Sequence, residues 1–158
     1  MNAMVNSPGS FEIRRTFSAS RERVFAAWTL KESLEQWMCR DVPSHRAEYL
    51  VLDVRPGGRY VIEIKLETGV THRGRGVFRE VKPPERLVFT WSWETFPAGD
   101  EPSPPGESLV TVELFARGSS TELVLTHEFP ESDPERLSSE EGWKGCFEVL
   151  ATVLGEEA

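Results

Sequence analysis

Cysteine, histidine and basic charge are all scarce in this chain. Its two cysteines, Cys39 and Cys146, are too few for a disulfide framework and too far apart for a zinc-ligand spacing. They read as small, reduced hydrophobes. The three histidines, His45, His72 and His127, have no second ligand type at useful spacing, so no metal is expected. No G-x-S-x-G, no H-E-x-x-H and no phosphate-cradling loop occurs. The glycines of "GRGVF" and "RPGGRY" sit on a strand and at a turn rather than at a helix start. Lys and Arg number 18 against 26 Asp and Glu, a formal net charge of −8. That balance repels phosphate backbones and anionic lipid heads, so no nucleic-acid partner is expected. The nearest thing to a basic patch, Arg73, Arg75 and Arg79, alternates along one stretch and reads as a solvated face. No apolar run approaches the roughly 18 residues of a spanning helix, which argues against membrane insertion. The opening "MNAMVNSPGS" lacks the basic and apolar regions of a signal peptide and reads as a loose tail over residues 1–10. The expected location is cytoplasmic.

What is present suits one domain. At 158 residues, 39% apolar and 28% charged, the chain is long enough to bury a core without staples. "FEIRRTF" alternates Phe11, Ile13 and Phe17 against polar residues, a strand signature. Ser18 or Ser20 caps a short helix, "RERVFAAW", with Val24, Phe25 and Trp28 on one face. Thr29 and Glu32 read as a capping box that opens a second short helix carrying Leu34 and Trp37 inward. Six strands occupy the stretch from about 46 to 129, punctuated by Pro56-Gly57-Gly58, Gly69, Pro83-Pro84 and Arg117-Gly118-Ser119. "FPAGDEPSPPGE" (96–107), rich in proline, reads as a long loop among them. The last segment changes period. Trp143, Cys146, Phe147, Leu150, Val153 and Leu154 form one helical stripe, with Ser138 and Glu141 as a second capping box at its start. An unbroken hairpin series implies an antiparallel meander with the long helix over one face, an α+β fold.

Several stretches in this order resemble one family: "RVFAAWTLKESLEQW", "VRPGGRY", "REVKPPERLVFTW", "TELVLTHEF" and "GWKGCFEVLATVL". The chain is similar over residues 11–155 to activator-of-heat-shock-protein-90-ATPase homologues, within the START-like, birch-pollen-allergen-like (SRPBCC) superfamily. The resemblance implies a helix-grip fold, a curved antiparallel sheet of about seven strands around two short helices and one long C-terminal helix. It also implies a hollow between sheet and C-terminal helix that takes small apolar or amphipathic molecules. The heat-shock co-chaperone role in the family name is the alternative, although the chain matches only the C-terminal part of a two-domain activator. A cavity-based cyclase or hydrolase is a second alternative.

Candidate ligand-lining residues come from strand parity and from the implied hollow. In "PPERLVFTWSW", Leu87, Phe89, Trp91 and Trp93 share one face, opposite Trp143 and Phe147 on the helix. These rings serve either as packed core or as pocket wall, with Trp93 near the 96–107 loop at the mouth. His127 shares parity with Leu123, Leu125 and Phe129. It is read either as a histidine satisfied by a neighbouring hydroxyl or carbonyl, or as the group that orients a ligand's polar head. Glu128 has the opposite parity and is expected in solvent. Tyr60, beside Ile62 on the inward face, adds a second polar tip. The expected ligand-binding set is therefore Tyr60, Ile62, Phe89, Trp91, Trp93, Leu125, His127, Trp143 and Phe147, with no catalytic residue assigned. The loop and the second short helix are expected to border the entrance. Exposed apolar strand edges leave a homodimer open.

Overall fold

The computed structural model describes residues 10–38, 46–66, 68–96, 108–129 and 135–155, without the side chains of 46, 93–96 and 135–139. The elements run β1 (Ser10–Phe17), α1 (Arg21–Thr29), α2 (Lys31–Trp37), β2 (Arg46–Leu52), β3 (Arg59–Lys65), β4 (Thr71–Lys82), β5 (Arg86–Phe96), β6 (Ser108–Arg117), β7 (Ser120–Glu128) and α3 (Glu135–Gly155). All seven strands form one antiparallel sheet in the order β1-β7-β6-β5-β4-β3-β2. Consecutive hairpins generate the run from β2 to β7, while β1 returns to pair with β7. The first and second strands thus lie on opposite edges. The two short helices must cross one face of the sheet to join them, and α3 lies on that same face.

Alternation sets which side chains face the helices. Tyr60, Ile62 and Ile64 of β3 are buried, as are Val110, Val112 and Leu114 of β6 and Leu123, Leu125 and His127 of β7. On α3 the stripe Trp143, Cys146, Phe147, Leu150 and Leu154 meets them. Each such large side chain contributes roughly 1.5–3 kcal/mol by leaving water. Polar ties fix the helices laterally. The Thr121 hydroxyl donates to the Ala19 carbonyl (2.7 Å) and Arg23 donates to the Leu154 carbonyl (3.3 Å). Arg15 pairs with Glu148 of α3 across 2.8 Å.

Two devices shape the sheet. At the β6–β7 hairpin, Arg117 pairs with Ser120 across a two-residue turn, and Gly118 takes φ +64°, which suits the twist of the flanking strands. On β2 the register shifts between Tyr49 and Val51, so Leu50 is an extra residue. The bulge reverses the parity of the rest of the strand: Ala47 and Tyr49 face inward before it, and Leu52, opposite Tyr60, faces inward after it.

Both predicted capping boxes are displaced. Ser20 does cap α1, accepting from the Arg23 N–H. Thr29, however, is the last residue of α1, where its hydroxyl donates to the Phe25 carbonyl (3.0 Å). Leu30, in extended conformation, ends α1 and starts α2 together, and α2 has no side-chain cap. Helix α3 begins at Glu135, three residues before Ser138, so Ser138 lies inside the helix rather than at its cap. Of the predicted tail (1–10), Ser10 is instead the buried first residue of β1, and residues 1–9 lie outside the described residues, as do most of the 96–107 loop, Cys39 and His45.

Candidate functional site

The seam between the sheet and α3 is filled by rings. Trp28 of α1 stacks on Trp143 of α3 with centroids 5.7 Å apart and meets Phe147 at 6.2 Å and Phe89 of the sheet at 6.3 Å. Phe17 closes on Phe147 edge-on at 6.0 Å. Leu123, Leu125, Phe147 and Leu150 have no exposed surface. Among the described residues, the seam where a hollow is implied between sheet and terminal helix is packed, because α1 inserts its tryptophan there.

A cleft lies instead beneath the two short helices. Its helical wall is Trp28, Leu34 and Met38; its floor is Tyr49 and Leu52 of β2, Tyr60 of β3, Phe78 of β4, and Leu87, Phe89 and Trp91 of β5. The unfilled volume is about 10 Å³. That is room for one water at most. Among the described residues, no Lys, Arg, His, Asp or Glu lines it.

Of the expected set, Tyr60, Phe89 and Trp91 meet at this cleft. Ile62, Leu125, Trp143, Phe147 and His127 are buried outside its lining. The side chain of Trp93 lies outside the described residues. The lining residues Trp28, Leu34, Met38, Tyr49, Leu52, Phe78 and Leu87 were not among those expected, and Leu52 and Met38 have specific reasons. The bulge at Leu50 brings Leu52 inward, and Met38 caps the C-terminus of α2. No periodicity announces either placement.

Tyr60 sits over its cross-strand partner Gly76, and its hydroxyl donates to the Thr90 carbonyl on β5. A Cβ at position 76 would stand 2.0 Å from that carbonyl oxygen and 2.7 Å from the Tyr60 hydroxyl, so only glycine admits this reach. The neighbouring Val77 N–H turns to the Thr90 hydroxyl at 2.8 Å.

A carboxylate ties the outer wall to the sheet edge. Glu35 of α2 accepts the backbone N–H of Tyr49 on edge strand β2 (2.8 Å), and Lys31 pairs with the same carboxylate oxygen (2.8 Å). On the inner side, the Trp37 indole donates to the Ala27 carbonyl at 2.9 Å, fixing α2 on α1. The Trp28 indole N–H has no partner among the described residues, although Trp28 is only 2% exposed.

His127 anchors a closed polar relay elsewhere. The Trp143 indole donates to His127 Nδ1 (3.0 Å), and His127 Nε2 lies 2.8 Å from the Ser108 hydroxyl. The Ser108 hydroxyl donates onward to the Trp91 carbonyl at 3.0 Å. An indole N–H can only donate, so Nδ1 accepts and the ring proton resides on Nε2. That tautomer cannot take a proton from Ser108, so the pair is not a nucleophile and its base. Burial pulls the imidazole down to about 3, and it is neutral at physiological pH. Both ring nitrogens are engaged, one of them by a hydroxyl, and neither is left to orient a ligand. Glu128, expected in solvent, is half-buried, and burial raises its carboxyl.

Among the described residues, no group of three or more His, Cys, Asp and Glu is placed to hold a metal ion. None of their helices is long and apolar enough to cross a membrane.

A seven-stranded antiparallel sheet with two short helices and a long C-terminal helix against one face defines a helix-grip protein. Solved structures share it. A Chromobacterium violaceum protein superposes with a TM-score of 0.80 at 26% identity, covering 93% of this chain and 97% of its own. A Rhizobium loti protein is 30% identical with a TM-score of 0.75, over 90% of this chain and 94% of that one. The AHSA1 protein of Silicibacter pomeroyi gives 0.78 at 26% identity, over 94% and 99%. Residues 18–155 match the family described as Activator of Hsp90 ATPase homolog 1-like protein, and the chain belongs to that family. Among curated proteins, none matches.

Proposed function

We propose that the protein binds a small, uncharged, largely apolar molecule in the cleft between β2–β5 and the two short helices. The observation that carries this reading is the cleft itself: an uncharged, ring-rich space whose outer wall is a seven-residue helix without a side-chain cap. Binding includes an outward displacement of α2, because the closed cleft holds no more than one water. Helix α2 suits that movement. Its buried Trp37 holds its C-terminal end against Trp28 and Phe147, so the displacement is a pivot about that end, with the Glu35 carboxylate releasing the Tyr49 N–H. Tyr60, Phe89 and Trp91 form the floor of the site, and Leu34 and Met38 the movable wall. Membership of the family supports a site of this kind, since the fold it shares encloses apolar ligands.

Magnitudes bound the affinity. Removing about 200 Å² of apolar ligand surface from water contributes about 5 kcal/mol, before the costs of association and opening. Taken alone, about 5 kcal/mol corresponds to a dissociation constant on the order of 0.2 mM, and those costs move simple ring compounds to the millimolar range or weaker. At ten times such a constant, a ligand adds about 1.4 kcal/mol of stability, which raises Tm by roughly 2–4 °C in a domain of this size. Thermal denaturation with and without indane, a planar hydrocarbon probe, reads this directly. A saturable rise supports the site; an unchanged Tm up to the solubility limit of indane overturns it.

A further inference from the structure

We infer that Trp28 is the polar anchor of this cleft, its Nε1–H recognising a hydrogen-bond acceptor oxygen on an otherwise apolar, uncharged, planar ligand such as a ring ketone, lactone or aryl ether. This rests on the reading of the cleft as a binding site, and it adds the chemistry by which that site selects.

The first ground is hydrogen-bond accounting. A buried donor without an acceptor costs about 1–3 kcal/mol, and more than nine in ten buried polar groups are paired. The indoles of Trp37 and Trp143 obey that rule, donating to the Ala27 carbonyl and to His127 Nδ1. Trp28, equally buried and part of the cleft wall, does not. A ligand that brings an acceptor removes the penalty on binding, so the protein gains from an oxygen more than a solvated donor would.

The second ground is the chemistry around that donor. The Tyr60 hydroxyl is committed to the Thr90 carbonyl, so it does not compete as the donor to a guest. With no charged side chain among the described lining residues, a carboxylate or ammonium would lose its hydration without a counter-charge there. Ionised ligands, fatty acids among them, are thereby disfavoured. Six of the ten lining residues are aromatic, which favours a flat guest meeting rings face-offset or edge-on.

The test compares two ligands of one shape, indane and 1-indanone, which differ by a carbonyl oxygen. Binding is followed by nuclear magnetic resonance on wild type and on Trp28→Phe. In wild type the ketone binds about tenfold more tightly, and the Trp28 indole proton moves downfield and exchanges more slowly with the ketone but not with the hydrocarbon. In Trp28→Phe the tenfold margin disappears while indane still binds. Because Trp28 is a core residue, the indole-proton response in wild type stands as the readout should the variant not fold. If both compounds shift the Leu34, Met38 and Leu52 methyls with equal affinity, the anchor is wrong and the site remains. If neither shifts those methyls, the site itself is wrong. If the indole proton stays bonded to a long-lived water that the ketone never displaces, Trp28 holds a water and the inference fails.

Discussion

His127 illustrates how a residue type that invites a functional reading resolves into a structural one. Its imidazole joins α3 to β5 and β6 through Trp143, Ser108 and the Trp91 carbonyl. Removing it in His127→Ala leaves the Trp143 N–H unpaired and opens a cavity, at a cost of roughly 3–5 kcal/mol in urea unfolding. Its titration gives stability a pH dependence of definite sign. The folded imidazole stays neutral down to about 3, whereas the unfolded one takes up a proton below its ordinary 6.5. Stability from this group is therefore complete above pH 6.5 and falls by about 1.4 kcal/mol per pH unit as the pH drops toward 3. Urea melts at pH 7.5, 5.5 and 4.5 should show wild type converging on His127→Gln as the pH falls. Parallel losses in the two proteins would refute the assignment. The sequence allowed the inward orientation of His127 to be read from strand parity. It did not reveal Ser108 as the partner, because the two residues are 19 positions apart and only the β6–β7 register brings them together.

At the scale of elements, the strands and the terminal helix were legible because each carries a long, clean period. Tyr60, Ile62 and Ile64, or Trp143, Phe147, Leu150 and Leu154, fall where burial needs them. The helix joint was not. Thr29-x-x-Glu32 has the pattern of a capping box, yet Thr29 is the last residue of α1 and its hydroxyl donates back to the Phe25 carbonyl, a competing use of the same side chain. The position of the cleft was hidden for a related reason: a bulge leaves almost no mark in composition, yet the one at Leu50 exchanges the two faces of β2. The weak joint between α2 and β2 has a consequence of its own. Glu35→Ala removes the acceptor of the Tyr49 N–H, and amide exchange at Tyr49 and along α2 should accelerate about tenfold while β6 and β7 keep their protection. Uniform acceleration across the sheet would mean that Glu35 supports the whole fold rather than one wall.

For the whole molecule, the arrangement divides the covered face of the sheet into two regions. Under α3, the described residues of the β1–β7–β6 half pack with Leu123, Leu125, Phe147 and Leu150 fully buried. Under α1 and α2, the β2–β5 half keeps a small uncharged cleft, and Trp28 stands at the boundary, stacked on Trp143 and lining the cleft. The proposed binding site accordingly lies on the side of the short helices, away from the terminal one. Chemical-shift mapping with methyl-labelled protein during an indane titration tests it most directly. Saturable shifts at Leu34, Met38 and Leu52, with Leu123 and Leu150 unmoved, are the result this account predicts. Shifts centred on Leu123 and Leu150, or none at any of the five, would contradict it.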